Sequence, residues 1–107
     1  MKVIYNKILP FKGFSAINIF GILFAREEYR PLSNKVLNHE AIHTAQMKEL
    51  LYIPFYILYG CEYLYNLIKY MDSYRAYKAI SFEKEAYKYE RDFNYLNNRK
   101  KYAEFKL

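Results

Sequence analysis

The chain is poor in the residues that form cross-links and all-histidine metal sites. It has one cysteine, Cys61, among 107 residues, so no disulfide can form within the chain. Cys61 lies in an apolar run, where a thiol packs as a small hydrophobe, and we expect it to be buried. The only histidines are His39 and His43. A metal site built from three histidines of this chain is therefore excluded.

Other features are also missing. No repeat, low-complexity segment or linker interrupts the sequence, so we expect residues 1–107 to form a single domain. The net charge is +6, but acidic residues interrupt the basic ones throughout, which argues against a nucleic-acid partner. The first residues lack the apolar segment and cleavage site of a secretory signal peptide, and this predicts a cytoplasmic protein.

One long apolar run, residues 50–71, has the length needed to cross a bilayer. It contains a proline, a glycine and three polar or charged residues, including Glu62. Because a carboxylate inside a membrane is costly, we predict a buried or surface-lying helix and no span. Contact of residues 50–71 with a membrane surface remains an alternative.

The pattern along the chain predicts an α+β fold, with a small N-terminal antiparallel hairpin or sheet followed by about three helices. Residues 2–9 and 15–24 are predicted strands, with a turn at 10–13. Gly21 inside the second strand indicates a bulge or a close backbone approach. The predicted helices cover about 34–50 after an N-cap at Ser33 or Asn34, 54–72, and 82–92 after Ser81.

Two expectations concern how these segments pack. Apolar residues of the second helix recur at three- and four-residue steps, so we predict that they form its packed face. They are Leu50, Ile57, Cys61, Leu64 and Ile68. The tail, residues 97–107, is charged, and we expect it to pack loosely.

The motif His39-Glu40-Ala41-Ile42-His43 carries the functional signal. Residues four apart lie on one face of a helix, so both imidazoles can bind a single metal ion. Glu40 sits beside the first histidine and can reach a water on that metal without being a ligand. This is the HExxH arrangement of zinc peptidases, in which the glutamate acts as general base.

Catalytic zinc needs a third protein ligand. With no histidine left, it has to be Cys61 or a downstream carboxylate. The acidic candidates are Glu49, Glu62, Asp72, Glu83, Glu85, Glu90 and Asp92. Glu83, in the first turn of the third predicted helix, fits best because a separate helix can approach the site from the other side. Spacing alone leaves Glu85 open.

Together with the segment Phe82-Glu83-Lys84-Glu85-Ala86-Tyr87, the motif resembles the gluzincin group of zinc metallopeptidases. It is similar to membrane-linked prenyl-protein and heat-shock peptidases and to β-lactam sensor peptidases. Their third ligand is a Glu followed three residues later by Ala, and this resemblance implies Glu83. Tyr87 departs from the Asp that often follows. The chain also resembles short bacterial proteins with HEAIH and FExEAY segments, for which peptidase activity is itself inferred.

Several nearby residues are candidates for supporting roles. Gln46 and Glu85 are candidates to orient a ligand histidine, although a solvent-facing position fits each equally well. Tyr74, Tyr77 and Tyr87 are candidates to stabilise an oxyanion, and the sequence does not choose among them. Residues 17–24 precede the motif helix, as an edge strand that holds an extended peptide would, but an ordinary core strand fits them as well.

These observations predict a zinc-dependent peptidase that hydrolyses peptide or protein substrates. Its expected metal ligands are His39, His43 and Glu83, and its expected general base is Glu40. A non-catalytic zinc-binding module and a membrane-surface interaction module are the alternatives. The sequence leaves the substrate and the oligomeric state open.

Overall fold

The computed structural model describes residues 2–9 and 15–101. Three strands come first, and a short 3-10 helix (Glu27–Tyr29) and five α-helices follow them in the described part of the chain. This confirms the predicted α+β class. The elements are β1 (Val3–Asn6), β2 (Ala16–Ile19), β3 (Ile22–Arg26), α1 (Asn34–Glu49), α2 (Ile53–Tyr70), α3 (Ser73–Lys78), α4 (Ser81–Tyr89) and α5 (Tyr95–Asn98).

The sheet has the order β1-β3-β2 and differs from the predicted hairpin. The segment expected as one strand splits at Phe20-Gly21 into β2 and β3, which pair antiparallel. Both turn residues have positive φ, 50° and 91°, as tight two-residue hairpins require. β1 pairs with β3 in parallel, so the prediction of an antiparallel sheet is wrong for that pair. The predicted turn at 10–13 lies outside the described residues.

The three predicted helices are present as α1, α2 and α4. Ser33 caps α1 by accepting a hydrogen bond from the amide of Val36, and Pro54 lies in the first turn of α2. Ser81 is the first residue of α4, and the N-cap is Ile80. The sequence reading missed α3 and α5, which have only six and four residues. Helices this short carry little periodic signal.

Two buried clusters lie against α1. Leu23 and Ala25 of β3 pack with Leu32, and half-buried Val36 and Leu37 of α1 lie against them. The second cluster joins α1 to α2 and α4 and consists of Met47, Phe55, Ile80 and Phe82. Helix α1 therefore lies between the sheet and the other helices, and the motif it carries sits at the centre of the molecule.

The packing of α2 contradicts the prediction. Its buried residues are Phe55 and Asn66, and half-buried tyrosines pack beside Phe55, with the Tyr59 ring stacked parallel to Phe82. The aliphatic stripe expected inside is largely outside: Ile57, Leu64 and Ile68 are 60–81% exposed, and Cys61 is also exposed. The tyrosine face packs inward because its rings fill the core and its hydroxyls find partners there. Among the described residues, no helix has both the length and the apolarity to cross a membrane.

Candidate metal centre

Helix α1 brings the two histidines together. They lie one turn apart, with ring centroids separated by 4.8 Å and the two Nε2 atoms by 3.2 Å. Both side chains are buried. A carboxylate oxygen of Glu40 lies within 4.8 Å of a ring nitrogen of each. The helical spacing thus brings three groups capable of metal chemistry together.

Helix α4 adds the buried carboxylate of Glu83. Its Oε1 lies 3.1 Å from His39 Nε2 and 3.0 Å from His43 Nε2. Its Oε2 accepts a 2.6 Å hydrogen bond from the Tyr59 hydroxyl. Because one carboxylate oxygen lies 3.0–3.1 Å from the Nε2 atoms of both histidines, we take Glu83 as the third ligand candidate. One oxygen faces the histidines and the other is held by α2.

Gln46 fixes the orientation of the His43 ring. Its Nε2 donates to the Phe82 carbonyl (3.0 Å) and to Glu85 Oε1 (3.1 Å). Because both partners are acceptors here, the amide oxygen has to face His43 Nδ1, 2.8 Å away. His43 Nδ1 therefore carries a proton. This leaves Nε2 as the nitrogen directed at Glu83, and as the one available to a metal.

His39 is held by different groups. Its Nδ1 lies 3.3 Å from Glu90 Oε2, and the Tyr87 ring packs edge-on against the imidazole at 4.5 Å between centroids. Tyr87 occupies the position where the resembling families often have Asp. Glu90, seven residues after Glu83 and hence on the same side of the segment, supplies the carboxylate. Sequence reading missed this role, although the seven-residue spacing was a usable signal.

The charges of His43 and Glu83 stabilise one another. Burial disfavours the charge on His43, but the charge of Glu83 and its hydrogen bond outweigh this and raise the His43 pKa from 6.5 to about 9. Burial would likewise raise the Glu83 pKa, yet His43 and hydrogen bonds from both histidines and Tyr59 lower it well below 4.5. At neutral pH the pair is therefore ionised, and a cation that binds both groups has to displace the His43 proton.

Glu40 shows the opposite shift. Burial raises the pKa of its carboxyl above 4.5, and the nearby histidines only partly oppose this. A carboxylate with a raised pKa is a stronger base than an exposed one. Glu40 also lines the cleft together with His43, so its position and its basicity both suit proton transfer.

The cleft is a cavity of about 720 Å³ between β2 and α2. The side bordered by β2 carries residues 16–20, and aromatic side chains cover much of the rest. They are Phe55, Tyr56, Tyr59 and Tyr77.

Asn18 fastens β2 to α1 through hydrogen bonds to the Glu40 carbonyl and to Thr44, each 3.0 Å. The Gly21 turn lies close to α1, because a Cβ there would be 3.3 Å from the Thr44 methyl group, so the predicted close approach is confirmed.

A network of buried charges extends from Gln46 to the C-terminal segment. Glu85 Oε1 accepts from Gln46, and Glu85 also accepts from the Tyr95 hydroxyl and from Arg99. Arg99 forms a two-pronged pair with Glu49 at 2.8 and 2.9 Å. The Arg99 side chain is only 6% exposed. The expectation that the segment after Asn97 packs loosely is therefore wrong for Arg99, while residues 102–107 lie outside the described part.

Among the remaining candidates, Glu85 and Tyr77 lie near the site, whereas Tyr74 and Cys61 are exposed. Glu85 is linked to His43 through Gln46. Tyr77 lines the cleft and its hydroxyl lies 2.8 Å from that of Tyr87, whereas Tyr74 is 67% exposed. Cys61 is exposed, so the structure does not bring it to the histidines. Tyr59 is the participant that sequence reading did not single out, because fourteen tyrosines offered no means of choosing.

Comparison with protein-family models, curated proteins and solved structures finds no match to this chain. The geometry of the metal centre and the resemblance of its motifs to gluzincins are therefore the indications of function.

Proposed function

We propose that this chain is a zinc-dependent peptidase of gluzincin-like type. The observation that carries the proposal is the convergence of two imidazole Nε2 atoms and one carboxylate oxygen, with mutual separations of 3.0–3.2 Å. Two histidines and a glutamate form the ligand set of several catalytic zinc sites.

The spacing of these atoms suits zinc. Zinc binds nitrogen and oxygen ligands at roughly 2.0–2.1 Å, so two ligand atoms of a tetrahedral site lie roughly 3.3 Å apart. The three atoms here are separated by slightly less. They come from His39, His43 and Glu83, which would hold the zinc, and the cleft that Glu40 lines also borders His43 and Glu83.

Each residue then has a defined task. When bound, zinc would lower the pKa of a water molecule and polarise the scissile carbonyl. Glu40 accepts the water proton at its carboxylate and returns a proton to the leaving amine. Tyr59 holds Glu83, Gln46 holds His43 and Glu90 holds His39. Of the three candidate tyrosines, Tyr77 is the one that lines the cleft, and it is our candidate to donate a hydrogen bond to a developing oxyanion.

The cleft supports a peptide as substrate. In the described part of the sheet, β2 is an edge strand, and it borders the same cavity as Glu40 and His43. An extended peptide can pair with such an edge through its backbone while alternate side chains enter the cavity. The aromatic lining favours peptides with a large apolar side chain near the scissile bond.

The test compares wild type with Glu40→Gln, using Glu27→Gln as a control because Glu27 is exposed on the 3-10 helix. Each protein is loaded with zinc, its metal content is measured, and a mixed peptide library is digested and read by mass spectrometry. We expect all three to bind zinc. Glu40→Gln should lower kcat/KM by about 100- to 10,000-fold, and the control should match wild type.

Two results would contradict the proposal. A protein that binds no zinc under metal-replete conditions has no metal centre of this kind. A protein that binds zinc but cleaves no peptide, with or without Glu40, is a zinc-binding module and not a peptidase.

A further inference from the structure

The most exposed apolar surface of the described chain lies on α2. Ile53, Ile57, Leu64 and Ile68 are 56–81% exposed, and Met71 just beyond the helix is 87% exposed. With Cys61, the helical residues recur every three or four positions and form one continuous strip, which we call the α2 stripe. An α-helix rises 1.5 Å per residue, so the stripe is on the order of 25 Å long.

The stripe contains no charge. The charged residues within α2 are Glu62 and Lys69, and the Glu62 carboxylate turns towards α4, where it accepts hydrogen bonds from Ser81. The polar tips of Tyr56 and Tyr59 also bond within the fold. Glu62, Tyr56 and Tyr59 of α2 therefore direct their polar groups into the fold, whereas the aliphatic side chains of the stripe face outward.

The charge around the stripe indicates what covers it. Among residues 2–9 and 15–101, eleven lysine and arginine side chains are exposed but only four carboxylates, those of Glu27, Glu28, Asp72 and Asp92. Most other described acids belong to the metal centre or its network. The surface is therefore more basic than the net charge of +6 suggests. Lys69 and Arg75 both lie over the Tyr70 ring at the C-terminal end of the stripe, at 5.3 and 5.2 Å.

We propose that the α2 stripe docks on an anionic lipid surface, with the helix lying in the plane of the bilayer. Aliphatic side chains enter the acyl boundary, and the surrounding cations contact lipid phosphates. Tyr65 and Tyr74, about two-thirds exposed, suit the polar boundary of a bilayer, where amphipathic rings are enriched. The aliphatic side chains of the α2 stripe favour lipid over nucleic acid as the partner. The stripe also has no arginine or tryptophan, which are enriched at the centres of protein interfaces. This docking is independent of the proposed peptidase activity.

The experiment measures cosedimentation of the full chain with vesicles of phosphatidylcholine, with or without phosphatidylglycerol. We expect binding to anionic vesicles that weakens as salt is added. Leu64→Gln combined with Ile68→Gln removes two exposed aliphatic side chains without adding charge and should weaken binding about tenfold or more. Lys69→Gln with Arg75→Gln should weaken binding to anionic vesicles and reduce its salt dependence.

The matched control is Ile8→Gln with Phe93→Gln, which changes two apolar residues outside α2 that are 80% and 60% exposed. It should bind vesicles as wild type does, and thermal unfolding should show that every variant is folded. Wild type that stays in the supernatant at low salt overturns the proposal. So does vesicle binding that the double Leu64 and Ile68 change leaves intact. A dimer in sedimentation equilibrium that this change dissociates, without vesicle binding, would assign the stripe to a second copy of the chain.

Discussion

At the scale of single residues, Gln46 links the metal centre to the rest of the core. It is fully buried, and its amide serves three partners, on His43, Phe82 and Glu85. Gln46→Leu keeps a similar volume and removes all three hydrogen bonds. We expect it to lower the free energy of unfolding by roughly 1–3 kcal/mol, because buried polar groups lose their partners. It should also weaken zinc binding about 10- to 100-fold, because the His43 ring loses its orientation.

Urea unfolding of the metal-free protein and chelator competition separate these two effects. Asn97→Leu is the control, since Asn97 is an exposed amide on α5. If Gln46→Leu binds zinc as tightly as wild type, Gln46 does not position His43.

The pKa of His43 gives a prediction about pH. The raised pKa means that the folded chain binds this proton more tightly than the unfolded chain does. Its contribution to stability is thus fully present below pH 6.5 and is lost as the pH rises through about 9. Metal-free protein should therefore lose stability between pH 6.5 and 9, and His43→Gln should reduce that loss.

Zinc binding should show the opposite trend. Because zinc displaces the His43 proton, affinity should rise about tenfold per pH unit up to about pH 9. Calorimetric titration in buffers of different ionisation enthalpy measures the proton released. Release of no proton at pH 7 would contradict the ion pair between His43 and Glu83.

The sequence predicted the site residues that lie close together on one helix. It left open those that reach the site only through contacts between distant segments of the chain. His39, Glu40 and His43 follow from helical spacing alone. Glu83 needed the family resemblance, since spacing could not separate it from Glu85. Tyr59 reaches Glu83 across 24 residues, and no pattern along the chain marks it among the other tyrosines.

At the scale of elements, the short helix α5 matters because it places Arg99. The guanidinium pairs with Glu49 on α1 and Glu85 on α4, so it joins the two helices that carry the candidate ligands. Arg99→Ala removes the cation from two buried carboxylates and should cost roughly 3 kcal/mol of stability. Arg99→Lys should recover only part of this, because an ammonium group cannot form the two-pronged pair.

Urea unfolding measures the stability of both variants. Lys100→Ala is the control, because Lys100 is next to Arg99 in the sequence and its side chain is exposed. A loss for Arg99→Ala no larger than that for Lys100→Ala would show that the pair contributes nothing to folding.

The sequence could not predict which face of helix α2 packs against the core. Periodicity identified the aliphatic residues as one face, and they do form one face. It could not tell whether that face points inward, because the opposite face, rich in tyrosine, is also able to fill a core. The start of helix α1 was easier to predict: the sequence offered Ser33 or Asn34 as the N-cap, and Ser33 is the N-cap.

At the scale of the whole molecule, a metal in this site would connect α1 to α4. A ligand that binds only the folded state at 100 times its dissociation constant adds about 2.7 kcal/mol of stability. For a chain of this size that corresponds to on the order of 10–20 °C in Tm. Chelation should therefore lower Tm by that amount in wild type and change it little in the combined His39→Ala and His43→Ala variant. Equal shifts in both would place the stabilising metal elsewhere.

The residues of the metal centre lie far apart in the sequence, so they emerge from the ribosome in a fixed order. His39 and His43 leave the ribosome well before Glu83, and Arg99 follows later still. Until Arg99 emerges, Glu85 lacks the cation that pairs with it in the finished fold. We expect nascent chains stalled with Glu83 exposed but Arg99 still in the exit tunnel to retain zinc less tightly than released protein. The metal centre would thus mature only when the segment that follows α5 has left the exit tunnel.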